Sequence, residues 1–133
     1  MCPPAAKQDD QVVGVDTHIV LVPSPGGPVP TPLPHPFSGR LTGALSPDVK
    51  IAGKPAAVVG STADNSPPHV PTAPGTAFTR PPANRGTVLR GSATVTINGK
   101  PAARAGDTVM TCNDPADMPT GTIVAAGTVV IGP

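Results

Sequence analysis

The chain repeats one short pattern three times, and this repeat limits the folds that are open to it. Each copy holds a valine and an isoleucine two residues apart, at Val49/Ile51, Val95/Ile97 and Val129/Ile131. β-Branched residues with a period of two are typical of a strand rather than a helix. A second short β-prone stretch precedes each pair across a Gly- or Ser-containing turn, so each copy is predicted to form a hairpin. The copies cover approximately residues 39–55, 86–101 and 121–133.

A single two-stranded hairpin is only marginally stable in water, so repeats of this kind must bury their apolar faces against one another. We therefore predict one all-β domain over residues 1–133, with three hairpins around a pseudo-threefold axis forming a small cone. No segment has the apolar period of a helix, so little helix is expected. The proline-rich stretches 23–36 and 66–82 are predicted to be loops.

The composition excludes a large aromatic core. Phe37 and Phe78 are the only aromatic residues, while proline and glycine supply 21 and 15 of the 133 residues. Together these two residue types make up about 27% of the chain, a level at which a disordered proline-rich adaptor is an alternative. Because ordering each residue costs about 1–2 kcal/mol of backbone entropy, a small core needs an additional stabilising element.

Four side chains can supply that element as ligands of one metal ion: His18, His35, His69 and Cys112. A closed set of four nitrogen and sulfur ligands is what a structural zinc ion prefers, although iron(II) also fits these ligand types. A disulfide between Cys2 and Cys112 is disfavoured, because Cys2 lies at a chain end and the cytoplasm is reducing.

Charge and hydropathy exclude several classes of partner. The net charge is +1, and the sequence has neither a basic run nor aromatic residues interleaved with arginine, so no nucleic-acid partner is implied. Residues 1–10 lack the pattern of a secretory signal, and no run approaches 18 apolar residues. We therefore expect synthesis in the cytoplasm without a signal peptide.

A shared motif follows the first two repeats. Residues 53–60 and 99–106 both read Gly-Lys-Pro-Ala-Ala-x-x-Gly. The proline fixes the backbone as the chain leaves the strand, the alanines permit close packing, and the second glycine permits a sharp turn. In the second copy the string Pro101-Ala102-Ala103-Arg104 is followed by Gly106-Asp107, Cys112 and the last repeat. Arg104 and Asp107 are predicted to form a local ion pair that braces the loop.

This order of strand, motif, Gly-Asp, cysteine and hairpin resembles the proline-alanine-alanine-arginine (PAAR) repeat family, the spike-tip proteins of type VI secretion systems and related contractile injection systems. The resemblance implies a cone of β-hairpins whose base docks on a trimeric β-helical, VgrG-like spike. It also implies a zinc ion near the vertex, held by three histidines and a cysteine. Cys112 and His18 match the expected positions best, and His35 and His69 are the remaining histidines.

The function implied by the resemblance is a non-catalytic tip that sharpens the spike for piercing envelopes and contacts the target membrane only transiently. The resemblance also implies effector cargo as a further partner. Because the chain has no room for a fused toxin domain, cargo would be bound separately. The protein would be incorporated into the injection particle and delivered outside the cell or into the target.

Some features depart from the family pattern, and other functions remain open. Val58 stands where the first motif copy would have arginine, and the last repeat ends before any motif. The sequence does not separate a type VI system from an extracellular phage-tail-like particle. A small metal-dependent hydrolase, with Asp16 as general base beside His18, is the enzymatic alternative.

Overall fold

The computed structural model describes residues 2–132, and Pro133 of the last repeat therefore lies outside the described residues. Within that range the chain forms eleven strands and no helix, which confirms the all-β class. Residues 2–132 thus contain no helix of the length and hydrophobicity needed to cross a membrane. The strands are β1 (Gln11–Val22), β2 (Val29–Gly43), β3 (Lys50–Ile51), β4 (Lys54–Pro55), β5 (Thr62–Asn65), β6 (Ala77–Phe78), β7 (Arg85–Val88), β8 (Thr96–Ile97), β9 (Lys100–Pro101), β10 (Thr108–Thr111) and β11 (Met118–Val124).

Six of these strands close into a small barrel. Their order is β11-β10-β7-β5-β2-β1, every neighbouring pair is antiparallel, and pairing of β1 with β11 closes the ring. Gly14 faces Gly121 across this closure, and a Cβ atom on Gly14 would lie 2.6 Å from the carbonyl oxygen of Thr120. Glycine is required there because the two backbones approach too closely for a side chain.

Within the repeats, the pairing differs from the predicted hairpins. In the middle copy β7 pairs with β5 and β10, whereas β8 pairs with β9 in a separate two-stranded hairpin. The first copy has the same arrangement, with β3 paired to β4. Each of these copies therefore contributes one barrel strand and one small hairpin, because a strand inside a closed barrel has both edges satisfied.

The third small hairpin is assembled from the two ends of the chain. Val130 forms a β-bridge with Pro4, and the Ala5 N–H donates to the Val129 carbonyl at 2.9 Å. In the other two repeats, the Ala56 N–H donates to the Val49 carbonyl and the Ala102 N–H donates to the Val95 carbonyl, both at 3.0 Å. The motif missing after the last repeat is therefore supplied by Pro4-Ala5-Ala6-Lys7, which was overlooked because it lies at the opposite end of the sequence.

The three motif copies meet on the pseudo-threefold axis. The Ala6 N–H donates to Ala103, the Ala103 N–H to Ala57, and the Ala57 N–H to Ala6, at 2.9, 3.0 and 3.0 Å. All three alanines are fully buried. This cyclic set of bonds explains the second alanine of the motif, since larger side chains would force the three backbones apart.

The predicted ion pair of the motif is confirmed. Arg104 Nη2 lies 2.9 Å from Asp107 Oδ1, and the Asp107 carboxylate also accepts the Arg104 backbone N–H. The hydrogen bond between the guanidinium and the Asp107 carboxylate raises the pKa of Arg104. Lys7 and Asp10 form the equivalent pair at 3.1 Å in the N-terminal copy. Both pairs brace a motif loop.

Ala6, Ala57 and Ala103 form a triangle of bonded residues, here called the alanine triangle. Apolar side chains form two layers, one on each side of it. The base layer contains Ile51, Ile97 and Ile131, one from each repeat. The barrel layer contains Leu41, Val88 and Ile123 in equivalent positions. Phe37 belongs to the barrel layer, and its ring centroid lies 6.3 Å from that of His69. The histidines therefore lie at the end of the barrel away from the base.

The prediction of a loop over residues 23–36 was wrong for its second half, because β2 begins at Val29 and continues as a strand. Prolines occupy positions 30, 32, 34 and 36, while this part of β2 pairs along its length with β1. Prolines with a period of two all lack the N–H on the same side of the strand. That side faces away from β1, so every N–H that the pairing with β1 needs is still present. The prolines therefore lie on the outer edge of the strand, where they are tolerated.

Candidate metal centre

Three imidazole rings cluster beyond Phe37, at the end of the barrel away from the base. His18 lies on β1 and His35 on the paired strand β2, while His69 comes from the irregular segment after β5. The ring centroids of His18 and His35 are 5.3 Å apart, those of His18 and His69 5.0 Å, and those of His35 and His69 5.6 Å. The long β1–β2 hairpin thus fixes two of the rings.

Cys112 and Asp16 complete a compact group of donor atoms. Cys112 Sγ lies 3.6 Å from His18 Nε2 and 3.4 Å from an Asp16 carboxylate oxygen. The same oxygen lies 2.8 Å from His69 Nε2. The donor atoms of Asp16, His18, His69 and Cys112 all lie within 4.8 Å of one another. The structure therefore brings together three of the four predicted ligands and adds a carboxylate.

His35 lies beside this group with both ring nitrogens engaged. Its Nδ1 is 2.9 Å from the Leu33 carbonyl oxygen, and its Nε2 accepts the Thr72 backbone N–H at 3.1 Å. Burial lowers the pKa of His35, against the opposing effect of the bond to Leu33. The ring is therefore neutral near pH 7, the form in which imidazole binds metals.

The spacing of the three rings fits a tetrahedral ion. A Zn–N bond of about 2.0–2.1 Å places each ring centroid about 3.2 Å from the metal, so tetrahedral ligands have centroids about 5.2 Å apart. The observed separations of 5.3, 5.0 and 5.6 Å bracket this distance. The geometry is compatible with three imidazoles around one ion.

The charges of the group also favour a cation. Burial, together with the neighbouring Asp16 carboxylate, raises the pKa of the Cys112 thiol to about 11. Asp16 is fully buried, and the Thr111 hydroxyl donates to it. A buried carboxylate beside a thiol and imidazoles is costly unless a positive charge is near. The donor set therefore fits a zinc ion, and these thiolate, imidazole and carboxylate ligands are also compatible with iron(II).

The segment after β10 holds the thiol against β1. Asp114 accepts the Ile19 backbone N–H at 2.9 Å and forms an ion pair with Arg80 at 2.7 Å. Although burial alone would raise the pKa of Asp114, these two bonds lower it below its usual value. Asp114 is therefore a carboxylate near neutral pH.

Two acidic members of this site were not predicted as metal donors. Asp16 was predicted only as the general base of the enzymatic alternative, and Asp114 was not predicted as a site residue. Asp16 precedes His18 by two residues on one strand, so both side chains lie on the same face. The alternation of side chains along a strand would have been enough to predict this. Asp114 offers no such signal, because it follows the end of β10 and reaches His18 only through the tertiary fold.

The closed β-barrel, its threefold base and this cluster define a small structural β-protein with a candidate metal centre. Residues 80–132 match the model of the PAAR motif family, so the chain contains a PAAR motif and the resemblance is confirmed over this segment. No curated protein matches the chain. The PAAR motif indicates a spike-tip role in contractile injection systems, and its family is structural rather than enzymatic.

Proposed function

We propose that this protein is the non-catalytic tip of a contractile injection system, capping and sharpening a trimeric central spike. The observation that carries the proposal is the alanine triangle, in which three copies of the motif give a single chain a threefold base. A monomer with such a base can meet the end of a trimer with equivalent contacts on all three subunits. Transient contact with the target membrane and delivery with the particle belong to the same proposal.

The base presents an apolar surface for this docking. Val49 and Val129 are 36% and 41% exposed, and each lies two residues before a buried isoleucine of the base layer. Exposed apolar groups around a symmetry axis are typical of an interaction surface. The partner we propose is a trimeric β-helical, VgrG-like spike, with effector cargo as a further partner.

We further propose that the histidine cluster holds a structural metal ion, with zinc preferred. His18, His69 and Cys112 are the ligands that the geometry supports directly. The fourth ligand in the sequence prediction is His35, which reaches the ion by releasing the Thr72 N–H, and Asp16 is the other donor in reach. Four donors leave no open position for a catalytic water, which argues for a structural role over a hydrolase.

A negative charge on the base is expected to abolish docking. Val129→Glu buries a carboxylate against an apolar partner, which costs several kcal/mol and lowers affinity at least about a hundredfold. The measurement is co-purification and titration calorimetry with a trimeric β-helical spike. Val15→Glu, on a residue 55% exposed on the barrel wall, is the matched control. Equal binding by both variants, or no binding by the wild type, would contradict the proposed docking.

Metal affinity is expected to rise with pH. Because the Cys112 thiol has a pKa of about 11, it is protonated at neutral pH and must release one proton when it binds zinc. The zinc association constant should therefore increase about tenfold per pH unit between about pH 7 and pH 9. Competition titrations with a chromophoric chelator of known pH dependence measure this slope. A slope near zero would show that the thiolate is not a ligand.

A further inference from the structure

The tripeptide Cys112–Asn113–Asp114 clamps β1 on both sides of His18. The Asp114 N–H donates to the Thr17 carbonyl at 2.8 Å, and the Thr17 N–H donates to Asn113 Oδ1 at 2.6 Å. On the other side, the Ile19 N–H donates to Asp114 Oδ2 at 2.9 Å. The same tripeptide therefore delivers the thiol and fixes the backbone from which His18 projects.

The two nitrogens of His18 face different groups. Nε2 faces the donor cluster, 3.6 Å from Cys112 Sγ, whereas Nδ1 lies 3.4 Å from Asp114 Oδ2. Among the described residues 2–132, His18 Nδ1 is the one buried side-chain nitrogen or oxygen without a hydrogen-bond partner. An imidazole that binds a metal through Nε2 carries its proton on Nδ1, and a carboxylate is the usual acceptor of that proton.

Asp114 is itself held in place from the surface. Its other oxygen lies 2.7 Å from Arg80 Nη2, and the same nitrogen donates to the Asn113 carbonyl at 3.0 Å. The Asp114 side chain is 4% exposed, whereas that of Arg80 is 56% exposed. An exposed arginine thus fixes a buried carboxylate whose second oxygen points at His18.

We infer that Asp114 is a positioning residue that holds the Nδ1–H tautomer and the ring orientation of His18, with Arg80 as its anchor. This inference rests on the proposed metal centre. A purely structural role for Asp114 would be to accept the Ile19 N–H, which an asparagine at this position can also do. Asp114→Asn keeps the shape and the oxygen that accepts the Ile19 N–H, but it removes the negative charge that faces His18 Nδ1, so it tests the role of the carboxylate.

The test uses Zn²⁺ alone in chelator competition and Co²⁺ as a spectroscopic probe of the ligand geometry. Asp114→Asn is expected to lower zinc affinity about 10- to 100-fold and to shift the Co²⁺ d–d bands, with the thiolate charge-transfer band retained. The melting temperature of the metal-free protein should change little. Arg80→Gln should also lower zinc affinity, by at least about threefold.

Arg85→Gln is the matched control, because Arg85 pairs with Asp64 at 2.8 Å with both side chains more than half exposed. If Asp114→Asn binds zinc with wild-type affinity and its Co²⁺ bands are unchanged, the role of Asp114 is overturned, while the proposed metal centre still stands. If Asp114→Asn fails to fold, wild-type affinity in Arg80→Gln overturns that role instead. A wild-type protein that binds no zinc would overturn the proposed metal centre and, with it, the role of Asp114.

Discussion

A chelator is expected to lower the melting temperature of the purified protein by on the order of 10 °C, and Cys112→Ser should do the same without chelator. An ion that binds only the folded state stabilises it by about 4 kcal/mol when free metal exceeds the dissociation constant a thousandfold. For a domain of this size, that energy corresponds to a shift of about 10 °C or more. The effect is large because the hydrophobic layers are built mainly of alanine, valine and isoleucine.

Calorimetry with parallel metal analysis checks this expectation, and Cys2→Ser is the matched control because Cys2 is free and exposed. One metal ion per chain is expected in the wild type and in the control, and none in Cys112→Ser. A chelator that removes the ion and leaves the melting temperature unchanged would instead favour the hydrolase alternative, since a catalytic metal can leave without unfolding its protein.

Phe37→Ala is expected to lower the free energy of unfolding by about 3–5 kcal/mol. Phe37 is 2% exposed and leads the fully buried side chains in volume. A barrel with small side chains around this ring has few groups that can move in to fill the cavity, so the cost should lie at the upper end of that range. The ring also supports His69, so metal affinity should fall as well.

Urea unfolding in the presence of chelator isolates the packing effect from the metal effect. The comparison variant is Leu89→Ala, because Leu89 is 42% exposed and should contribute less than about 1 kcal/mol. A loss below about 1 kcal/mol for Phe37→Ala would mean that the barrel relaxes around the cavity, and the two-layer description of the core would need revision.

Local patterns were sufficient for the class of fold. The Val-x-Ile pairs predicted strands correctly around Ile51 and Ile97, and the three repeats predicted the pseudo-threefold axis. The pairing within each repeat was wrong because a strand's partner depends on which edges the rest of the chain leaves open. The region of residues 29–36 was predicted as a loop because proline content was considered without its period of two.

The candidate site was predictable only in part. His18, His69 and Cys112 are rare residue types in this sequence, and their scarcity singled them out. Whether His35 is the fourth ligand stays a prediction, because its contacts with Leu33 and Thr72 depend on how the segment after β5 lies across β2. Asp16 and Asp114 belong to residue types that are common on surfaces, so their sequence context alone did not mark them as members of a site.

By itself the sequence determined an all-β repeat protein, its motif and a few rare side chains as candidate metal donors, because β-branched periodicity and rare residue types are local properties. The tertiary structure decided how the barrel closes, that Pro4-Ala5-Ala6-Lys7 completes the third repeat, and which carboxylates face the histidines. These features join residues about a hundred positions apart, as in the bonds from Ala6 to Ala103 and from Asp114 to Thr17. Local propensity carries no information about such contacts, since they form only when barrel closure brings distant segments together.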